Sequence, residues 1–171
     1  MNDVTGSANP ASGAPRRDAP GVIVFPPALY LATLLSGILL SYFWRWPLLP
    51  GSVSNSWFRI AGGVMIVPGL SLVIWGRARM MSAGTNVIPT RPALVIVTDG
   101  PFRFTRNPLY LGNLIVYAGL ILVFNSAWLA ILLIPMLLLL NYGIVQREER
   151  YLEAKFGNDY RAYKARVRRW L

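Results

Sequence analysis

Two clusters of polar residues stand beside apolar runs in this 171-residue chain. The first is the stretch Thr98–Gly112, TDGPFRFTRNPLYLG, which combines a turn, two arginines, two prolines and several aromatic residues. The second is the pair Glu148-Glu149, which follows the last apolar run. Charge without a partner is unfavourable at the depth of a membrane interface, so these residues predict a polar binding site at a bilayer surface. Simple pairing of the glutamates with Arg147, Arg150 or Arg106 is the alternative.

The local chemistry of the first stretch favours hydrogen-bond donors directed at a ligand. An Asp-Gly turn at Gly100 comes early in it. Pro108 restricts Asn107 to extended geometry and suits the first turn of a helix. Arg106 is thereby held near a helix N-terminus, where unsatisfied backbone N–H groups favour anions and other acceptors. Gly112 allows a ligand or a neighbouring backbone to come close.

A groove is predicted between the two helices that flank the glutamates and the loop. Tyr110, Asn113 and Tyr117 share one helical face, and Asn141 shares a face with Glu148, one heptad later. If a helical hairpin turns these two faces together, all five side chains line a polar groove. Asn113, Tyr117 and Asn141 are the residues that we expect to contact the substrate there.

The composition indicates a membrane protein. Hydrophobic residues make up 54% of the chain and charged residues only 14%, against about a quarter charged in a typical soluble domain. The net charge of +10 fits an anionic membrane surface better than nucleic acid, because the basic residues lie between apolar runs. The sequence contains no Cys and no His, so no thiolate nucleophile, histidine base or metal site is expected.

Hydropathy predicts an all-α integral membrane protein with about four transmembrane helices. The predicted spans are about 25–44, 57–76, 109–124 and 127–145. Only Asn125 and Ser126 separate the last two spans, so these should form an antiparallel hairpin. In the second span Gly62, Gly69 and Gly76 lie seven residues apart on one face, which predicts close approach of a neighbouring helix.

The remaining segments are expected to be cytoplasmic. A disordered tail is predicted at 1–21, followed by a single membrane domain at 22–171. The connection 77–107 contains a short apolar run, Leu94–Val97, that would touch the membrane or cover a pocket. All but two of the 17 Lys and Arg residues lie in the tail, this connection and the C-terminal segment, so the positive-inside rule places all three in the cytoplasm.

The C-terminal segment predicts one further helix, basic and amphipathic. Gly157 interrupts the preceding helix, and Asn158 or Asp159 is expected to cap the new one. One face carries Tyr160, Tyr163, Val167 and Trp170, whereas Arg161, Lys164 and Arg168 lie away from it. Such a helix would lie on the membrane or over the loop.

The two clusters together carry a family resemblance. DGPFRFTRNPLYLGN, followed one hairpin later by REERYLEAKFGNDYRAYKARVRRW, resembles the isoprenylcysteine carboxyl methyltransferase and phospholipid methyltransferase superfamily. Its signature is Arg-His-Pro or Arg-Asn-Pro, then x-Tyr-x-Gly, a hydrophobic hairpin and a Glu-Glu pair. The matching residues are Arg106, Asn107, Pro108, Tyr110, Gly112, Glu148 and Glu149; Phe156, Gly157, Tyr160, Tyr163, Val167, Arg169 and Trp170 match the usual ending.

The resemblance implies a methyltransferase that binds S-adenosylmethionine (SAM) on the cytoplasmic side, between residues 98–113 and 146–171. Arg106 and Tyr110 would be its catalytic residues. The implied cofactor-binding set is Gly100, Arg106, Asn107, Pro108, Tyr110, Leu111, Gly112, Glu148 and Glu149. The glutamates would accept hydrogen bonds from the ribose hydroxyls or the amino group, and Arg106 would pair with the carboxylate. A lipophilic acceptor would enter from the bilayer.

Asn107 departs from the pattern of the carboxyl methyltransferases, which have His at this position. Asn cannot take up a proton near neutral pH, so the sequence favours the phospholipid methyltransferase branch. The acceptor would be a lipid amine, a thiol, a carboxylate or another hydrophobic molecule. An NADPH-dependent enzyme similar to sterol reductases and a non-catalytic membrane scaffold are the alternatives.

Overall fold

The computed structural model describes residues 19–51 and 56–171, so most of the predicted N-terminal tail lies outside the described residues. Within these ranges the regular elements are helical, apart from one isolated bridge between Pro47 and Ser126. The helices are α1 Pro26–Phe43, α2 Ser56–Ser82, α3 Pro108–Phe124, α4 Ala127–Leu138, α5 Gln146–Phe156 and α6 Asn158–Arg166. A π-helical segment, Leu139–Val145, joins α4 to α5, and a 3-10 turn, Gly100–Arg103, precedes α3.

Three helices of the described chain are long and apolar enough to cross a membrane. They are Pro26–Phe43, Ser56–Ser82 and the continuous run Ala127–Phe156, while Pro108–Phe124 is a shorter apolar helix of 17 residues. The chain is therefore an integral membrane protein. α2 extends six residues beyond its predicted end, because the helix continues past the apolar segment. In this extension Arg79 forms an ion pair with Asp99.

Glycines bring α2 and α3 into backbone contact, as the seven-residue spacing predicts. Gly62 faces Gly119, and Gly69 faces Gly112: a Cβ atom on Gly62 would lie 2.5 Å from the Gly119 carbonyl oxygen, and one on Gly69 would lie 2.8 Å from that of Gly112. Any side chain at these positions would push the two helices apart. The predicted close approach is confirmed.

The predicted hairpin between α3 and α4 is also confirmed. Asn125 adopts the left-handed conformation with φ of 46°, and the Ser126 hydroxyl caps α4 by accepting a hydrogen bond from the Leu129 backbone N–H at 3.2 Å. The Asn125 side chain bonds both the backbone N–H (2.9 Å) and the carbonyl (3.1 Å) of Leu49. These bonds tie the hairpin turn to the loop after α1.

At the opposite end of the bundle, α6 covers the loop that precedes α3. Tyr160 and Tyr163 of α6 are buried against Val97 and Phe102, and the Tyr163 hydroxyl donates to the Phe102 carbonyl oxygen at 2.8 Å. Of the two placements predicted for this helix, the structure shows the one over the loop. This apolar contact holds the C-terminal segment against the site described below.

The predicted N-cap of α6 is wrong. Gly157, with φ of 55°, occupies the cap position without a side-chain hydrogen bond, and Asn158 and Asp159 are the first two residues of the helix. Glycine tolerates this left-handed turn, which lets α6 fold back onto the loop. The helix ends before Val167, whose backbone is extended. Residues Val167–Leu171 form a C-terminal strap that runs back across the start of α3.

Candidate functional site

A cavity of about 430 Å³ lies where α1 begins, α2 ends, and α3 and α5 begin. Small-molecule sites in proteins usually enclose about 300–1,000 Å³ and are mainly apolar with a few directed polar groups. The apolar wall of this cavity includes Phe25, Pro26, Val73, Leu109, Ile96 and Val97. Of the run Leu94–Val97, which is predicted to touch the membrane or to cover a pocket, the last three residues line this cavity.

Glu148 supplies an acceptor without a cationic partner. Its carboxylate Oε1 accepts a hydrogen bond from the Tyr110 hydroxyl at 2.6 Å. No Lys or Arg in the described part of the chain lies within ion-pair distance of it. The Tyr30 hydroxyl of α1 in turn donates to the Tyr110 backbone carbonyl at 3.1 Å. Glu148 lines the cavity and can therefore accept further hydrogen bonds from a cationic or hydroxylated ligand.

Glu149 has different partners because successive helical residues point in different directions. Its side chain is 7% exposed and receives a bidentate interaction from Arg169, with Nε 3.0 Å from Oε1 and Nη2 2.8 Å from Oε2. Arg106 Nη1 lies 3.1 Å from the same Oε1. Pairing with Arg106, one of the predicted alternatives, is thus correct for Glu149 and does not apply to Glu148.

Arg106 brings a positive charge to the cavity. Its side chain is 9% exposed and lines the cavity. Although Nη1 is close to Glu149, neither Nη1 nor Nε has a partner with hydrogen-bond geometry among the described residues. Leaving a buried donor unsatisfied costs about 1–3 kcal/mol, more for a charged group. An anionic ligand in the cavity would satisfy these N–H groups.

The backbone around Arg106 is held by the C-terminal strap. The Arg106 backbone N–H donates to the Arg168 carbonyl, and the Thr105 hydroxyl and the Asn107 amide both donate to the Arg169 carbonyl, each at 3.0 Å. As predicted, Pro108 occupies the first turn of α3 directly after Asn107. The buried amide of Asn107 therefore serves as a structural donor in this corner.

Two tyrosines of α6 complete the polar end of the cavity. Burial raises the pKa of Tyr160 to about 12; Glu149 acts in the same direction and Arg106 in the opposite one. Burial also raises the pKa of Tyr163. Both hydroxyls stay protonated near neutral pH: that of Tyr163 donates to the Phe102 carbonyl oxygen, and that of Tyr160 accepts a hydrogen bond from the Arg106 guanidinium. They are unsuited to accept a proton from a substrate.

The structure brings seven of the predicted site residues to the cavity: Arg106, Asn107, Pro108, Tyr110, Asn113, Glu148 and Glu149. The other five, Gly100, Leu111, Gly112, Tyr117 and Asn141, do not line it. Gly112 packs against Gly69, and Gly100 lies in a turn beside Arg79. The glycine at 112 is explained by close backbone approach between two helices, and the glycine at 100 by a turn with φ of 57°.

Of the five side chains predicted to line the groove, Tyr110, Asn113 and Glu148 line the cavity, whereas Tyr117 and Asn141 do not. Tyr117 is 3% exposed in the core, where its hydroxyl donates to the Leu129 carbonyl at 3.2 Å. The Asn141 side-chain oxygen lies 3.5 Å from Arg169 Nη1. Asn141 and Glu148 are seven residues apart but do not lie on the same helical face. The π-helical segment Leu139–Val145 has more residues per turn than an α-helix, so it rotates Glu148 relative to Asn141.

Sequence reasoning missed several residues of the site. Arg169 had no assigned role, and Tyr30 and Thr105 were not considered. The contact between Tyr30 and Tyr110 joins residues 80 positions apart, so no local pattern indicates it. One signal could have indicated Arg169: it is a cation in the same C-terminal segment as Glu148 and Glu149, whose negative charges require a positive partner near a membrane.

Fold and site together define a membrane-embedded protein with a ligand cavity at one end of its helical bundle. Comparison with protein families makes the assignment specific: the model of the phospholipid methyltransferase family matches residues 57–159. This match covers more than half of the chain, so the protein belongs to that family, which implies a methyltransferase.

One relative is an uncharacterized protein of Haemophilus influenzae, 48% identical over 59 residues, which are 34% of this chain and 90% of the relative. No solved structure matches the chain. The family match ends within α6, so the C-terminal strap lies outside it.

Proposed function

We propose that the protein transfers a methyl group from SAM to a lipophilic or membrane-associated acceptor at the cytoplasmic membrane face. The observation that carries this proposal is that one cavity holds both the carboxyl acceptor of Glu148 and two buried N–H donor atoms of Arg106 with unused hydrogen-bonding capacity among the described residues. In the described part of the chain Glu148 has no cationic partner, and the buried Nε and Nη1 atoms of Arg106 have no hydrogen-bond acceptor. A ligand with both a cationic and an anionic group suits this arrangement.

SAM fits these residues. Arg106 would bind the carboxylate of its methionine part, because a guanidinium and a carboxylate form strong charge-assisted hydrogen bonds. Glu148 would accept hydrogen bonds from the ammonium group or from ribose hydroxyls. Tyr110 would orient Glu148 through the 2.6 Å bond. When bound, SAM supplies an electrophilic methyl group on a sulfonium sulfur.

The residues of this chain would act mainly by positioning. Methyl transfer to a nucleophile with a free electron pair requires alignment of the two reactants and exclusion of water. Arg106 and Tyr110, the predicted catalytic residues, would contribute through binding and orientation. The apolar wall, including Val97 of the loop cover, would exclude water from the reacting atoms.

The acceptor would reach the cavity from the bilayer. The cavity walls include Pro26, the first residue of α1, the preceding Phe25, and Val73 in the C-terminal half of α2. Arg77 and Arg91 also border it, and under the positive-inside rule these charges support a cytoplasmic location for this end of the bundle. Lipid amines, thiols and carboxylates remain the acceptor classes to be distinguished by assay.

Calorimetry in detergent or nanodiscs tests the cofactor. We expect SAM to bind the full-length protein and NADPH not to bind. Glu148→Gln should weaken SAM at least about tenfold, the effect of one charge-assisted hydrogen bond. Glu153→Gln is the matched control, because Glu153 lies in the same helix and pairs with Lys164 away from the cavity. Its SAM affinity should stay within about twofold of the wild type, a range smaller than one neutral hydrogen bond.

Methyl transfer is tested with SAM labelled on the methyl group and a total lipid extract of the host membrane. We expect label in the organic phase, and less of it with Glu148→Gln. Absence of SAM binding by the wild type refutes the proposal, and NADPH binding in its place supports a reductase. SAM binding without transfer to lipids refutes the lipophilic acceptor.

A further inference from the structure

The C-terminal strap, Val167–Leu171, brings one more charged group to the site. Three successive residues before α3, Thr105, Arg106 and Asn107, donate hydrogen bonds to the carbonyls of Arg168 and Arg169 at 3.0 Å each. Three such bonds fix the backbone position of Arg169 relative to the start of α3. Its guanidinium is consequently placed beside Glu149.

Arg169 and Arg106 compete for the same carboxylate. Arg169 occupies both oxygens of Glu149 at 3.0 and 2.8 Å, whereas Arg106 has a single approach of 3.1 Å to one oxygen. The hydrogen bonds to Glu149 also raise the pKa of Arg169, which therefore stays charged. Because Arg169 satisfies Glu149, the Nε and Nη1 atoms of Arg106 find no hydrogen-bond acceptor among residues 19–51 and 56–171.

The net charge of Arg106, Arg169 and Glu149 also favours an Arg106 that is available to an anion. One carboxylate and two guanidinium groups carry one net positive charge, in a place where Arg106 and Glu149 are 9% and 7% exposed. Without Arg169, Arg106 and Glu149 would form a neutral pair. Arg106 would then turn both of its terminal nitrogens toward Glu149, as bidentate pairing favours. The cavity would lose its attraction for an anion.

We propose that Arg169 is a positioning residue that keeps Arg106 free to bind an anionic group of the ligand. The inference rests on the proposed function in one respect, since it takes that group to be the carboxylate of SAM. Arg169 itself does not contact the ligand. It acts by occupying Glu149.

The test compares SAM with its decarboxylated analogue, which has the same sulfonium, amine and nucleoside but no carboxylate. With Arg169→Gln in the full-length protein, calorimetry should show SAM affinity reduced about tenfold or more, the effect of a lost charge-assisted hydrogen bond. Affinity for the decarboxylated analogue should stay within about twofold, because that analogue makes no bond to Arg106.

Arg168→Gln is the matched control, because it removes the same charge from the adjacent position. The Arg168 side chain is exposed, and this residue contributes its backbone carbonyl to the strap. SAM affinity should remain close to that of the wild type. Arg169→Lys keeps the charge but loses the bidentate geometry, and its affinity for SAM should fall between those of the wild type and Arg169→Gln.

The possible failures can be told apart. If the wild type binds neither SAM nor the analogue, the proposed function itself fails. If the wild type binds both ligands equally, Arg106 does not bind a carboxylate and the inference is overturned. If Arg169→Gln weakens both ligands equally while its thermal unfolding temperature also falls, Arg169 has only a structural role and the inference is again overturned.

Discussion

Gly112 provides a direct test of whether helix packing or cofactor contact explains its place in the motif. A Cβ atom on Gly112 would lie 2.6 Å from the Gly69 carbonyl oxygen and 2.7 Å from Val73 Cγ2. Ordinary van der Waals contact begins at 3.4 Å, so the first of these contacts is about 0.8 Å too short. The atom that obstructs it is backbone, so Gly112→Ala must separate α2 from α3.

Overpacking of this kind costs about 1–3 kcal/mol, and backbone obstruction places Gly112→Ala near the upper limit. The higher helix propensity of Ala stabilises the variant by about 1 kcal/mol. The free energy of unfolding should therefore fall by a net amount of about 2 kcal/mol. Gly63→Ala is the matched control, since a Cβ there meets nothing within 4 Å and should gain up to about 1 kcal/mol. The two variants should differ by about 6–12 °C in Tm.

Thermal unfolding in nanodiscs, together with SAM calorimetry, measures both consequences. Gly69→Ala lies on the opposing helix, outside the cofactor motif, and its Cβ would lie 2.8 Å from the Gly112 carbonyl oxygen. We expect it to lower Tm as Gly112→Ala does. SAM affinity should fall in both variants, because Gly112 is one helical turn after Pro108 and its displacement moves the start of α3. If Gly112→Ala abolishes SAM binding at unchanged Tm while Gly69→Ala behaves as wild type, the packing explanation is refuted.

Substitutions at three further positions probe other parts of the molecule. Asn107→His should keep SAM affinity within about threefold in calorimetry, because an imidazole N–H can replace the amide donor to the Arg169 carbonyl; loss of binding in a folded protein would show that the amide itself is required. Tyr110→Phe removes the 2.6 Å hydrogen bond to Glu148 and should weaken SAM about tenfold, whereas unchanged affinity would mean that Glu148 needs no orientation. Asn125→Ala removes two side-chain bonds to Leu49 and places Ala in a left-handed conformation, so Tm should fall by an amount equivalent to about 2–4 kcal/mol at constant SAM affinity. Asn125→Gly separates the two causes, since it relieves only the backbone strain, and its Tm should lie between those of the wild type and Asn125→Ala.

The sequence by itself determined the features that depend on local pattern. Apolar length indicates a membrane protein, and the two-residue connection at Asn125 and Ser126 requires a hairpin. The spacing of Gly62, Gly69 and Gly76 predicts a close helix contact, and Pro108 marks the start of α3. Each of these follows from composition or periodicity within one segment, where neighbouring residues are fixed relative to one another by the helix itself.

Only the tertiary structure decided how the two glutamates are used. Their adjacency suggested a shared role, but Glu148 meets Tyr110, 38 positions away, and Glu149 meets Arg169, 20 positions away. The π-helical segment Leu139–Val145 rotates both of them relative to Asn141, and a straight heptad count cannot include that rotation. Contacts between distant segments depend on how whole helices pack, so the difference between Glu148, which bonds a tyrosine, and Glu149, which pairs with arginines, becomes visible only once the chain is folded.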